Sequence, residues 1–148
     1  MSESLSVCEP LKQIVYISNA TVPLGEEALT SLLLQARRDN ALDSISGVLI
    51  QHGRCFVQCI EGPTSAIDRL YQRIRLDPRH TNIITLLERE ITQRDFPGWH
   101  MGCTRVSDSQ YLQLANARWE RVHNGPLAHS PGVEFLRQFW DNGRSALF

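Results

Sequence analysis

Hydrophobic and polar positions change period several times along the chain, and each change marks an element. Lys12–Ser18 alternates as a strand, with Ile14, Tyr16 and Ser18 on one face and Val15 and Ile17 on the other. Leu24–Asn40 has helical spacing. Leu29, Leu32, Leu33 and Ala36 form one stripe that Asn40 prolongs with an amide, while Glu26 and Glu27 sit at the positive end and Arg37 and Arg38 at the negative end. Ser44–Gln51 and Arg54–Gly62 return to strand character, and His52-Gly53 between them predicts a two-residue antiparallel hairpin. In the second of these strands Phe56, Gln58 and Ile60 share a face, and Cys55, Val57 and Cys59 share the other. An amide among apolar neighbours in mid-strand needs a partner, since burying it unpaired costs roughly 1–3 kcal/mol. That partner is either a neighbouring protein group or a ligand.

Pro63 opens a second helix to about Arg75, with Ile67, Leu70, Tyr71 and Ile74 as its apolar face and Asp77-Pro78 as its stop. Asn82–Ile91 is a further strand. A turn through Asp95–Gly98 leads to a short last strand, Trp99–Cys103, on which Trp99, Met101 and Cys103 share a face. The order βαββαβ plus one strand predicts an α+β, ferredoxin-like fold with two helices on one face of a mostly antiparallel sheet. The opposite face, with Val15, Ile17, Val57 and cysteines, is too apolar to stay wet. The tail supplies a cover. Ser107 and Gln110 form a capping box for a helix to about Val122, with Leu112, Ala115, Trp119 and Val122 on one side. Ser130-Pro131 starts another helix carrying Phe135, Leu136, Phe139 and Trp140, with Gly143 as its stop. The chain thus divides into a disordered lead-in (1–11), a sheet domain (12–106) and a C-terminal helical cap (107–148).

Composition narrows the function. A formal charge of −1 over 148 residues, with scattered arginines and Lys12 as the one lysine, gives no footprint for nucleic acid or an anionic membrane. No apolar run is long enough to span a bilayer, and the N-terminus lacks the pattern of a signal peptide. Cys55 and Cys59 lie about 13 Å apart along one strand face, too far for a disulfide or a shared metal. Cys8 and Cys103 have no zinc-like spacing. These features predict a cytoplasmic protein. Glu61 and Asp77 are isolated carboxylates expected to pair with arginines, the five histidines are scattered, and no phosphate loop or nucleophile elbow is present. The expectation is a protein that is not an enzyme.

In a ferredoxin-like sheet the first and third strands are central neighbours, so Tyr16 and Gln58 should meet under the helices, where Asn40 also arrives. A phenol and two amides in an apolar setting either satisfy one another or recognise the edge of a flat heteroaromatic ring.

From Lys12 to about Val106 the chain resembles the BLUF domains, blue-light sensors that use FAD. The resemblance rests on IVYIS with Tyr16 and Ser18, RRDNALDSISGVL with Asn40, RCFVQCIEG with Gln58, DPRHTNI with Arg79 and His80, and FPGWHM with Trp99 and Met101. Asp39 departs from the histidine or asparagine often found at its position, so no flavin contact is assigned to it. The resemblance implies a non-covalent FAD between the two helices, with Asn40 on the polar edge of the ring and Gln58 bridging Tyr16 and the flavin. Light would draw an electron and a proton from Tyr16, and recombination would leave the Gln58 amide rearranged. The resemblance also implies Ser18 as a cofactor contact, and Arg79 and His80 resemble positions near the ribityl or phosphate end. Trp99 and Met101 would relay the signal, one or other lying near Gln58. The implied protein is a short photosensor without an output domain, expected to form a homo-oligomer and to act on an unidentified downstream signalling protein. Two alternatives stand beside it: a small enzyme of acylphosphatase type, and an interaction module without ligand.

Overall fold

Nine elements follow in chain order: β1 (Leu11–Ala20), α1 (Glu26–Leu42), β2 (Ser46–His52), β3 (Cys55–Pro63), α2 (Thr64–Leu76), β4 (His80–Ile91), β5 (Gly102–Arg105), α3 (Asp108–Ala115) and α4 (Pro131–Leu147). The computed structural model describes residues 9–22, 25–117, 119 and 130–147. The strands form one sheet in the order β4-β1-β3-β2-β5. β1 pairs antiparallel with both β3 and β4, β2 pairs antiparallel with β3, and β5 joins β2 in parallel. This is the expected ferredoxin-like α+β arrangement with an added edge strand.

The alternation in the sequence becomes two cores. On one face Ile14, Tyr16, Leu49, Phe56 and Ile60 pack beneath Leu29 and Leu33 of α1 and Ile67 and Tyr71 of α2. On the other, Val15, Val48, Ile50, Val57 and Cys59 meet Leu114, Trp119, Leu136, Phe139 and Trp140 from the C-terminal segment. Each fully buried large apolar side chain contributes roughly 1.5–3 kcal/mol, so the second face is sealed by ordinary hydrophobic burial. Among the described residues no helix is long and apolar enough to cross a membrane.

Several boundaries differ from the sequence expectation. His52 still pairs with Cys55, so the two-residue hairpin loop is Gly53-Arg54, with Gly53 at φ 61 supplying the left-handed backbone. α1 runs on to Leu42, which leaves Arg37 and Arg38 before its last turn. The capping box at Ser107 and Gln110 is present, but α3 ends at Ala115 and buries Leu114 while Leu112 stays 58% exposed. Val122 lies outside the described residues. α4 begins at Pro131 as expected, yet it continues through Gly143 to Leu147, because a lone glycine weakens a helix by only about 1 kcal/mol and does not stop it. Of the lead-in, residues 1–8 lie outside the described residues, whereas Glu9 and Pro10 cap the start of α2. Glu9 accepts from the backbone and hydroxyl of Ser65, and the Pro10 carbonyl accepts from Thr64.

At Gly102 the C-terminal cover comes close to the sheet. A Cβ there would lie 2.3 Å from Cη2 of Trp140. Gly102→Ala should therefore push Trp140 off the sheet and cost about 1–3 kcal/mol, seen as a lower denaturant midpoint at unchanged slope. Unchanged stability would show that α4 does not seat on β5 this way.

Candidate functional site

Tyr16 and Gln58 stand directly opposite each other in the β1–β3 ladder, on the face beneath the helices. The Tyr16 hydroxyl donates to Gln58 Oε1. Gln58 Nε2 in turn donates to the Met101 sulfur at 3.1 Å. Tyr16 is buried, and that burial holds its phenol well above the usual tyrosine range, with Tyr71 and Asp77 adding to the effect. It is therefore a neutral donor.

Gln58 differs from its neighbours. It lies in mid-strand between buried Phe56 and Ile60, with strands on both sides, yet it is only half-buried. The helix layer explains this. α2 packs on β1 and β3, and its cover leaves Gln58 partly exposed between two buried neighbours. Asn40 reaches this region from the end of α1 and is 4% exposed. Its Nδ2 donates to the His100 carbonyl at 2.8 Å, and no described residue donates to its Oδ1. Ser18 is buried on the same face, two residues beyond Tyr16 and opposite Phe56. His80, at the start of β4, places its ring 6.5 Å from that of Tyr16 and bonds the Ile74 carbonyl at 2.7 Å.

Arg79 is not brought to this group by any contact. It is exposed and forked onto Asp77 at 2.6–3.0 Å, and these bonds pull the Asp77 carboxyl down to about 2. Trp99 is also elsewhere. The expectation that it shares a face with Met101 is corrected, because β5 begins only at Gly102 and strand alternation does not govern residues 99–101. A turn containing Gly98 at φ 84 precedes them. Met101 enters the core under the helices, and Trp99 packs on the other side against Trp140, with ring centroids 5.0 Å apart.

Glu61 also departs from expectation, whereas Asp77 pairs with an arginine as expected. The Glu61 carboxylate is fully buried on the face opposite Gln58 and meets no guanidinium among the described residues, although Arg94 donates to the Glu61 backbone carbonyl at 3.1 Å. It accepts from the backbone N–H groups of Asp95 and Phe96 at 3.0 and 2.6 Å and from Gln13 Nε2 at 3.0 Å. Burial raises its pKa and these bonds oppose the rise. The carboxylate pins the turn before Trp99 to the sheet. Arg37 is a second residue that the sequence reading did not place at the site, although its spacing of three from Asn40 puts both on one helix face. Its Nε donates to the Met101 carbonyl at 2.8 Å.

The donor set suits a flat ring with a polar edge. Asn40 keeps an acceptor to which no described residue donates, and Gln58 keeps a second N–H, both on the helix side of the sheet among apolar neighbours. Nothing in the set resembles an acid–base pair, and no described group of histidines, cysteines and carboxylates could hold a metal.

Residues 11–102 match the family described as sensors of blue light using FAD, BLUF. The beta subunit of photoactivated adenylate cyclase from Euglena gracilis is 41% identical over 87 residues, which is 59% of this chain and 10% of that protein. Among solved structures, BlrB, a BLUF protein in its dark state, superimposes with a TM-score of 0.70 at 28% identity, covering 89% of this chain and 96% of the other. A bacterial light-regulated adenylyl cyclase superimposes with a TM-score of 0.62 at 36% identity over 64% of this chain and 28% of its own. The chain spans about a tenth of the length of the curated relatives it matches.

Because Tyr16 is held neutral by burial, it should not ionise where ordinary tyrosines do. In an alkaline absorbance titration, Tyr16→Phe is expected to leave unchanged the phenolate signal that grows around pH 10. Loss of one tyrosine's share of that signal would contradict the burial argument.

Proposed function

This chain belongs to the BLUF family, the sensors of blue light using FAD, and from that membership we propose that it holds FAD non-covalently between α1 and α2 and passes its light state to a separate partner protein. The observation that carries this reading is the bond chain Tyr16–Gln58–Met101 on the face of the sheet beneath the helices, with Gln58 only partly buried. When bound, the flavin supplies the absorption of blue light and an excited ring able to accept an electron. Asn40 Oδ1 would accept from the polar edge of the ring, Gln58 would face the ring with its second N–H, and Ser18 and His80 would border the same space. Arg79, exposed and with Nη1 not bonded to Asp77, could serve as a counter-charge to the phosphate tail.

The residues of the chain also explain how a light state could be stored. Tyr16 can move its hydroxyl proton along the bond to Gln58 Oε1 when an electron leaves its ring, and take it back when the electron returns. During that interval the amide loses its hold. An amide turned end for end keeps its shape but exchanges donor and acceptor. In the observed orientation Nε2 faces the weak acceptor Met101 Sδ and Oε1 faces the phenol donor. Turned over, Oε1 would face the sulfur, two acceptors together. The turned state is thus less favourable within the protein and returns in the dark.

The signal is proposed to leave through residues 99–105. They join Met101 under the helices to Trp99 and Gly102 under Trp140 on the other face. The indole N–H groups of Trp119 and Trp140 are buried with no acceptor among the described residues, at roughly 1–3 kcal/mol each. A cover held with such a penalty is easier to shift between two settings than a fully satisfied one. The division into a flavin-binding part (12–106) and a cap (107–148), the homo-oligomer and the cytoplasmic location belong to this proposal. The acylphosphatase alternative lacks support, since the sequence from Asn19 to Pro23, at and just beyond the end of β1, offers no arginine to bind an anion.

The purified protein should be yellow with one flavin per chain, and blue light should shift its absorption reversibly to longer wavelength. Gln58→Leu and Tyr16→Phe should each abolish the shift while keeping the flavin. Asn40→Ala should weaken FAD binding by about 1–3 kcal/mol, the penalty for a buried group left without its partner. A colourless protein that refuses added FAD would sink the proposal, as would a normal light response in Gln58→Leu.

A further inference from the structure

Residues 99–101 precede β5 and are held from outside its strand. Gly47 N–H donates to the Trp99 carbonyl at 2.7 Å, Asn40 Nδ2 to the His100 carbonyl at 2.8 Å, and Arg37 Nε to the Met101 carbonyl at 2.8 Å. Of these three bonds, the one from Arg37 reaches the residue whose sulfur meets Gln58. A cavity of about 330 Å³ adjoins it, lined by Arg37 and residues 98–102. Side-chain packing therefore does not fully brace the segment on that side, and a directional bond has to supply what packing does not. Arginine suits this task. Its Nε–H points in the plane of a rigid guanidinium, so it fixes the direction as well as the distance of the carbonyl it meets.

We infer that Arg37 is a positioning residue for the switch: by fixing the Met101 carbonyl it holds the Met101 sulfur against Gln58 Nε2 and thereby sets the rate at which the light state returns. The inference rests on the function proposed above. Freed of Arg37, the Met101 backbone can move toward the cavity. The N–H···S contact at 3.1 Å then lengthens, and the preference of the amide for its dark orientation weakens.

Two readouts on the full-length, flavin-loaded protein test this. The chain has two methionines, Met1 and Met101, so the Met101 methyl resonance of methyl-¹³C-methionine protein is assigned by its loss in Met101→Leu. In the dark state that resonance should move in Arg37→Ala, and in Arg37→Gln, which keeps part of the side-chain stem if the alanine variant does not fold. Arg37→Lys, which can still donate to the carbonyl, should bring it part of the way back. The second readout is dark recovery after blue light. Its rate should change threefold or more in Arg37→Ala or Arg37→Gln, with the light-induced shift retained. In a Met101→Leu background the same Arg37 substitution should have no further effect, because two residues acting through one contact are not additive. An unmoved methyl resonance, an unchanged recovery rate, or additive effects in the double variant would overturn the inference. A wild-type protein with no light response would overturn it together with the proposed function. A normal wild type with silent Arg37 variants would overturn this inference alone.

Discussion

A slip of one residue between β1 and β3 would turn every side chain of one strand to the other face of the sheet. The site depends on this not happening. The pairing runs without a break from Leu11 opposite Pro63 to Asn19 opposite Cys55, and it sets Tyr16 against Gln58 at its centre. The irregularities of β1 fall on its other neighbour, where the register against β4 shifts twice. Burial on both faces enforces the pairing, since a slip would exchange Ile14, Tyr16 and Ser18 for Val15 and Ile17 in cores of different shape. The phenol–amide bond is thus a consequence of how the sheet is packed, and it is in place before any ligand is considered.

The two faces of the sheet then take different tasks. Under α1 and α2, Gln58 stays partly exposed among buried apolar neighbours. Under α3 and α4 the core is closed, but with two buried indole N–H groups left without an acceptor among the described residues. The connection between β4 and β5 joins the two sides. Glu61 fastens its start through the N–H groups of Asp95 and Phe96, and Arg37 and Asn40 fasten its end from α1. Within this connection, Met101 faces one core and Trp99 the other. A rearrangement at Gln58 has a short physical path to the cover through these few residues, with no need for a rearranged sheet.

Period-two alternation made most of this arrangement legible, because central strands obey it. Tyr16, Gln58 and the apolar faces around them follow from pattern alone, and Asn40 follows from the helical stripe it extends. The pattern misleads where the backbone is not regular. Trp99 and Met101 are two apart, as if on one strand face, but the strand starts after both and they point to opposite cores. Leu112 fits a helical stripe, yet the short α3 presents Leu114 to the sheet. Glu61 has no sign in the sequence that backbone N–H groups and Gln13, not an arginine, will satisfy it, since that depends on where the turn at Asp95–Phe96 comes to rest. Arg37 has the right spacing for the site, but an arginine near a helix end also fits the macrodipole, and a single sequence does not separate the two.

The most direct test of the account is the state of the Gln58 side chain in dark and light. Light-minus-dark infrared difference spectra of protein carrying ¹³C-carbonyl-labelled glutamine should show an isotope-shifted side-chain carbonyl band that changes on illumination. That change should be absent from Gln58→Leu and from Tyr16→Phe. A light response of the flavin with no change in any glutamine carbonyl band would contradict the claim that the Tyr16–Gln58 pair is the switch.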